Sequence, residues 1–507
     1  MPHPVTSYED VPYESKPIAA THPCRLAAAA TLHGMAPPDV RRCRVLELGC
    51  AGGGNLVPMA LALPEADFVG IDLSPGQVAE GQALVRALGL RNIELTALDL
   101  MAVDDRFGTF DYILCHGVWS WVPGPVRERI LSVCAGNLSA NGVAYVSYNT
   151  YPGWHARGMV RDMLAFHARR FADPHEQVRQ ARSFLGFLVG SVREPDGNYG
   201  RALRQEAELL GKQADSYLFH EHLEDVNEPV YFHEFMARAA AHGLQYLDEA
   251  QGTRLAACFP ADVRETLRQL APDPVLYEQY LDFLGNRTFR RTLLCHQGIA
   301  LRRTPSSQAV QRFRYTTDCQ PRASPVDLRQ GVEATFASGK EITLTSIHPL
   351  IKAVLACLCE AQPRSLALAE LQRRVLGRLA GGSPSCGLAE LAESLLHCHQ
   401  SGIVEFHLHE PAFATALSPQ PRASPLARHQ AETGCPWITS LRHRVVAIDD
   451  FDRAVLGLLD GRRDRAALAG QLADLARRGR LSLPEAGVDD ALGPALARLA
   501  GNALLIG

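Results

Sequence analysis

The sequence predicts an α/β protein: an open, largely parallel sheet with helices between its strands, followed by two smaller α+β units. Three observations predict it. The segment Val45-Leu-Glu-Leu-Gly-Cys-Ala-Gly-Gly-Gly54, followed by Phe68-Val-Gly-Ile-Asp72, runs from an apolar strand through a glycine-rich turn and a helix to a second apolar strand. Further apolar runs at 93–97, 110–115 and 143–148 recur with helical or turn segments between them, the order that builds parallel sheets. Two phrases of the second half return about 100 residues later.

The first strand ends in glycines, which let a ligand approach the backbone with no side chain in the way. Asp72 ends the second strand, where a carboxylate can accept both hydroxyls of a ribose. An adenosine-type cofactor is therefore expected. Gly49-x-Ala51-x-x-Gly54 fits a degraded dinucleotide fingerprint, with Asp72 eighteen residues beyond its last glycine. The alternative is the acid-x-Gly-x-Gly-x-Gly turn of S-adenosylmethionine enzymes, here Glu47, Gly49, Ala51 and Gly53. Glu47 lies inside the first strand, where a dinucleotide site is normally apolar. The third strand runs out at Asp99, placed to accept the adenine amino group. The fourth is followed by a helix over 125–138 and then the fifth. A single acid could be a helix cap or turn residue. Acids ending consecutive strands belong at the carboxyl edge of an open sheet, so the ordered set favours S-adenosylmethionine.

Composition bounds the remainder. A chain of 507 residues holds several domains, and 47% hydrophobic content supplies their cores. A formal charge of −4 argues against bulk electrostatic binding to nucleic acid or membrane. No apolar run is long enough to span a bilayer. Met-Pro-His-Pro-Val-Thr has no basic segment leading into an apolar core, so no signal peptide is expected. The 13 scattered cysteines read as reduced thiols of a cytoplasmic protein. Cys357-x-Cys359 and His397-Cys-His399 lie in helix-like apolar patterns without tetrahedral-site spacing, so no metal is expected.

Several phrases surround this core: Tyr13 and Thr21-His-Pro23, His116-Gly-Val-Trp-Ser-Trp-Val-Pro123, Ser147-Tyr-Asn-Thr-Tyr-Pro-Gly-Trp154, Tyr217-Leu-Phe-His-Glu-His-Leu-Glu224 and Asn227-Glu-Pro-Val-Tyr-Phe232. With them the chain resembles class I S-adenosylmethionine-dependent methyltransferases, and among these the bacterial enzymes that carry a methyltransferase regulatory domain. That group includes protein-lysine methyltransferases acting on bacterial outer-membrane proteins. The resemblance spans about Tyr8 to Gln297 and extends loosely to the C-terminal region. Ala51 departs from the family's usual glycine but keeps a small side chain.

The resemblance implies a Rossmann-like, seven-stranded methyltransferase sheet, which needs two strands beyond residue 148. The next segments, 158–170, 174–189 and 201–211, read as helices. Strand patterns return at 244–248, after a helix over 232–241 with the stop signal His242-Gly243, and at 290–296. The expected organisation is an N-terminal cap segment (1–42), the cofactor-binding core (43–154), a helical insertion (155–230), and completion of the sheet with the regulatory region (231–300). The insertion leaves and re-enters at the carboxyl edge of the sheet. It is expected to be a lid or substrate platform, or a homodimer contact.

Gln320-Pro-Arg-Ala-Ser-Pro325 recurs at 420–425, and Lys352-Ala-Val-Leu-Ala-Cys-Leu358 returns as Arg453-Ala-Val-Leu-Gly-Leu-Leu459. Two winged-helix-like modules are expected, 320–410 and 420–507. Asp449, Asp450, Asp452, Asp460 and Asp464 would repel phosphate, so partner binding or internal packing is expected of them rather than nucleic-acid binding.

The expected cofactor contacts are Glu47, Gly49, Cys50, Ala51, Gly53, Asp72, Leu73, Asp99, Leu100 and His116. Methyl transfer from a sulfonium is an in-line displacement that needs alignment and water exclusion, and no catalytic triad. Aromatic walls desolvate an amine nucleophile and stabilise cationic groups. Tyr8, Tyr13, His116, Trp119, Trp121, Asn149, Tyr151 and Trp154 are the expected acceptor-side residues, with Tyr13 or His116 as the candidate proton acceptor and water the alternative. His220-Glu-His222 with Glu224 and Asp225 reads as a hinge, or as an acidic rim for a cationic side chain. The expected function is transfer of a methyl group, with the resemblance supplying protein lysine as acceptor. A small-molecule methyltransferase and a non-enzymatic cofactor-binding scaffold are the alternatives.

Overall fold

A computed structural model of the chain describes residues 11–250, 254–339, 342–379, 387–414, 416–485 and 487–506. Seven strands form the main sheet: β1 (Arg44–Leu48), β2 (Asp67–Asp72), β3 (Ile93–Ala97), β4 (Phe110–Cys115), β5 (Leu138–Asn149), β6 (Leu244–Glu249) and β7 (Phe289–His296), in the order β3-β2-β1-β4-β5-β7-β6. Strands β1 to β5 are mutually parallel, and β7 runs antiparallel to both neighbours. The order reverses between β1 and β4, the place where such sheets open a crevice for ligands.

Alternation along each strand sends side chains to two separate cores. Val45, Tyr112, Val143 and Leu293 pack on one face with Leu26, Ala27 and Ala30 of the Pro23–Leu32 helix. Leu46, Ile113, Ala144 and Leu294 pack on the other with Ile130, Phe232 and Phe235. The helices between strands obey local signals. Pro75–Leu88 starts at Ser74, whose Oγ accepts the Gln77 N–H, and ends at Gly89 with φ of 66°.

Between β5 and β6 the chain forms helices Trp154–Ala168, Pro174–Ser191 and Asn198–Gly211, a short turn of helix Asp215–Leu218 and a π-helical turn Phe219–Leu223. A bridge between Thr150 and Val230 closes the base of this excursion. Its two ends therefore sit side by side at the end of β5, on the carboxyl edge of the sheet. The Phe232–Ala241 helix then leads to β6, as the sequence pattern expects.

Two α+β modules follow. The first packs helices Pro349–Ala361, Leu368–Leu379 and Leu388–Gln400 on a sheet whose central strand is Arg314–Thr316, ahead of the expected boundary at 320. Cys357 and Cys398 lie buried in that core, on two of its helices. The second module has helices Pro425–Glu432, Asp450–Leu458, Arg465–Arg477 and Gly487–Gly501, and a short hairpin Ile438–Thr439/Val445–Val446. The repeated hexapeptide does not repeat its structure. Gln320–Pro321 pairs with the Ala334–Ala337 strand, whereas Arg422–Ala423 pairs with Leu505–Ile506. The N-terminal region is more than a cap, because Ala28 and Leu32 join the first module's core while Leu26 and Ala27 belong to the sheet's. Among the described residues, no helix is long and apolar enough to cross a membrane.

Candidate active site

The glycine-rich turn leaves β1 with Gly49, Ala51 and Gly53 at φ values of 78°, 48° and 72°. Ala51 thus carries a β-carbon in the left-handed region, at a cost of roughly 1–2 kcal/mol. Asp72 holds it there. Its Oδ2 accepts the Ala51 N–H at 2.8 Å and its Oδ1 the Ser74 N–H at 2.9 Å. The carboxylate therefore links the ends of β1 and β2 at the crevice, with half-buried Leu73 beside it. Cys50 points its buried side chain back into the core, so only its backbone belongs to the turn. Asp99 is exposed beyond β3 and accepts the Met101 N–H at 2.9 Å, starting a 3₁₀ turn that contains half-buried Leu100.

Glu47 sits behind the turn at 2% exposure. Burial raises its carboxyl from the ordinary 4.5 to about 8, against the lowering effect of a hydrogen bond from Asn55. Asn55 Nδ2 donates to Glu47 Oε1 at 2.7 Å and to Thr21 Oγ1 at 2.9 Å. Glu47 Oε2 is equally buried and has no partner among the described residues. An orphaned buried carboxylate oxygen costs stability unless a donor reaches it. It fits the cationic amino group of S-adenosylmethionine, as Asp72 at the end of β2 fits the ribose.

The N-terminal segment crosses this turn. Ser15 Oγ accepts the Gly54 N–H at 2.8 Å, and a β-carbon on Gly54 would lie 2.1 Å from the Ser15 carbonyl oxygen. Two residues earlier, the Tyr13 ring meets His220 edge-on, with centroids 5.7 Å apart. His220 Nε2 donates to the Val11 carbonyl at 2.6 Å. The strap therefore joins the cofactor turn to the π-helical turn of the insertion.

The residues expected on the acceptor side divide. Trp121, half-buried, meets the Trp154 ring edge-on at 6.4 Å, and the Arg157 guanidinium lies 4.7 Å over that ring. Arg157 also donates to Tyr217 Oη at 3.2 Å and pairs with Glu206 at 3.1 Å, which in turn accepts from His222 at 2.8 Å. Half-buried Glu221 lies within electrostatic reach of Tyr13, Tyr217 and Arg157. Its carboxylate has no hydrogen bond or ion pair among the described residues, and burial lifts it from 4.5 to about 7.

Trp119 is a correction. It is fully buried with Tyr148 at 5.6 Å and Phe235 at 5.3 Å, in the core between the sheet and the Phe232–Ala241 helix. Two positions apart on a 3₁₀ turn, Trp119 and Trp121 point different ways. Asn149 is buried and donates to Asn227 at 3.1 Å, closing the end of β5. Tyr151 stacks on His155 at 4.1 Å and leans on Tyr231, in a separate aromatic group. Tyr8 lies outside the described residues. His116 follows β4, with Nδ1 2.8 Å from Tyr145 Oη. Burial and nearby Arg291 lower its pKa to about 3, so it is a poor proton acceptor near neutral pH. Burial and Glu221 raise the Tyr13 phenol, which therefore stays protonated. Neither expected base suits its role.

The side chains absent from the sequence-based set are Asn55, Arg157, Tyr217 and Glu221. Asn55 carried a signal, since it follows the turn at the start of the Leu56–Ala62 helix. There it reads as a cap, but its side chain makes no cap bond and turns inward. Glu221 was visible only within an acidic phrase.

Comparison with known proteins agrees with this layout. Family profiles match at residues 46–144 (methyltransferase domain), 214–296 (predicted methyltransferase regulatory domain) and 419–504 (PKMT, C-terminal winged helix domain). The chain is 36% identical to the uncharacterized protein RP789 of Rickettsia prowazekii over 521 residues, covering 98% of this chain and 93% of the relative. It is 37% identical over 233 residues to the uncharacterized protein RP028 of the same organism, covering 46% of this chain and 93% of that one. Among solved structures, PKMT2 from Rickettsia typhi in complex with AdoHcy superposes with a TM-score of 0.86 at 29% identity, covering 98% of this chain and all of that one. A glycine turn braced by Asp72, a buried acid behind it and full-length kinship together place the chain in the family of class I S-adenosylmethionine-dependent methyltransferases that carry a methyltransferase regulatory domain and a C-terminal winged helix.

Proposed function

We propose that the protein methylates the ε-amine of lysine side chains in a protein substrate. The observation that carries this is the Glu221 carboxylate, which has no hydrogen bond or ion pair among the described residues and lies within electrostatic reach of Tyr13, Tyr217 and Arg157, the last of which sits over the Trp154 ring of the Trp121–Trp154 pair. An alkylammonium fits such a place, because a carboxylate attracts its charge and ring faces shelter its methylene stem. The full-length likeness to PKMT2 supports the same acceptor class.

The cofactor supplies an activated methyl carbon. Glu221, poised to change charge near neutral pH, takes a proton from the acceptor ammonium. The freed nitrogen lone pair forms the N–C bond as the C–S bond breaks, leaving its electron pair on sulfur. Tyr13 and Tyr217 narrow the cleft and exclude water from that line. Asp72 and Glu47 orient the donor, and the Trp121–Trp154 pair, tied to the Glu221 region through Arg157, supplies the aromatic surface on the acceptor side.

Incubation of the purified protein with methyl-tritiated S-adenosylmethionine and a bacterial extract tests the proposal. Label in protein, recovered as methyl-lysine after hydrolysis, is the expected result. Label confined to small solutes would overturn the protein acceptor. Binding of the donor with no turnover in any extract would overturn the enzyme.

A further inference from the structure

The hairpin of the second C-terminal module reaches the back of the cofactor turn. His443, at its tip, is 4% exposed and adopts φ of 56°, a strained setting for a residue with a β-carbon. Its Nε2 lies 2.8 Å from Asn55 Oδ1. The same oxygen accepts the Ile18 N–H at 2.9 Å, and the Asn55 amide nitrogen donates to Glu47 and Thr21. Asn55 thus has its bonding capacity filled in one orientation only. Removing the His443 donor would loosen the choice between its amide oxygen and nitrogen facing Glu47.

The hairpin is anchored on both sides of His443. Arg442 donates to the Pro363 carbonyl at 2.6 Å. Arg444 pairs with Asp318 at 2.9 Å and with Glu405 at 2.5 Å, and Glu405 also pairs with Arg25 at 2.5 Å. Lys16, next to the residue that crosses Gly54, lies 4.3 Å from the centre of the Trp437 ring. Burial holds the His443 imidazole near pKa 3, so at neutral pH it is a neutral donor through Nε2. A strained, buried donor inserted by one domain into another domain's polar network has no packing purpose that an apolar residue would not serve better.

We propose that the C-terminal module is part of the cofactor site, with His443 as a positioning residue. It fixes Asn55 and, through it, the Glu47 carboxylate that receives the donor's amino group. The consequence is reciprocal: cofactor binding strengthens docking of the module, and docking strengthens cofactor binding.

The test is calorimetric titration of the full-length protein with S-adenosylhomocysteine, together with thermal melting. His443→Ala and His443→Leu should each weaken binding about tenfold. His443→Gln, which keeps a side-chain N–H donor, should recover most of the affinity even where its melting temperature matches that of the leucine variant. On an Asn55→Ala background, His443→Leu should add little further loss, since the two act in series. Native affinity in the leucine variant would overturn the proposal. So would a glutamine variant as weak as the leucine variant, or losses that add fully across the double mutant.

Discussion

Two buried polar groups in this molecule look alike in position and differ in completeness. Arg290 on β7 is fully buried and donates to Asp282 at 2.8 Å, to Glu249 at 3.2 Å and to Glu278 at 3.0 Å, with Arg287 adding a second cation beside Asp282. Every charge there has an answer inside the protein. Glu47 on β1 is equally buried, yet one of its oxygens has no partner among the described residues, and its other is held by a neutral amide. The comparison teaches that burial alone does not mark a site. A buried charge with a complete set of partners holds elements together, whereas the incomplete one here lies directly behind the glycine turn, where a cationic amino group can complete it.

The largest expected effect lies in the complete network. Arg290→Met should cost about 3–5 kcal/mol in urea unfolding, because carboxylates are left buried with insufficient positive charge. The folded fraction should still bind S-adenosylhomocysteine normally. The tryptophans make a parallel pair. Trp119→Ala should cost about 3–5 kcal/mol of stability as a core truncation. Trp121→Ala should leave unfolding nearly unchanged and lower turnover. Equal stability losses in the two would erase the distinction between core and acceptor-side surface. Next is Asp72→Ala, expected to weaken S-adenosylhomocysteine binding by about 2–4 kcal/mol in calorimetry through lost charge-assisted hydrogen bonds.

Glu47→Gln gives the most diagnostic effect. The native carboxyl sits at about 8, above its unfolded 4.5, so the folded protein holds more protons between those values. Stability contributed by the protonated form is complete below the unfolded value and is lost as pH rises towards 8. Cofactor binding should release a proton in that window, giving an affinity that rises with pH. Glu47→Gln should flatten both dependences, which calorimetry in buffers of different ionisation enthalpy can measure.

The sheet was legible because its signals are local. Apolar runs of strand length, Ser74 and Gly89 bounding a helix, and an acid at the end of β2 each follow from a few neighbouring residues. Even the return of the sheet at 244–248 and 290–296 could be read past a long helical excursion. What could not be read was side-chain direction and long-range company. The tryptophan cluster was visible, but not that Trp119 turns into the core. His443 and Asn55 lie 388 residues apart, and nothing near either announces the other. Glu221 depends on Tyr13 from the N-terminal strap and on Arg157 and Tyr217 from the insertion, so its lack of a partner among the described residues exists only in three dimensions.

The measurement that bears most directly on the Glu221 carboxylate is the pH–rate profile of Glu221→Gln against the native protein, with S-adenosylhomocysteine affinity measured alongside. Turnover should fall by about 10²–10⁴, and the rising limb near pH 7 should disappear, with cofactor affinity unchanged. Native turnover with the limb intact would contradict the assignment of Glu221 to the acceptor's proton.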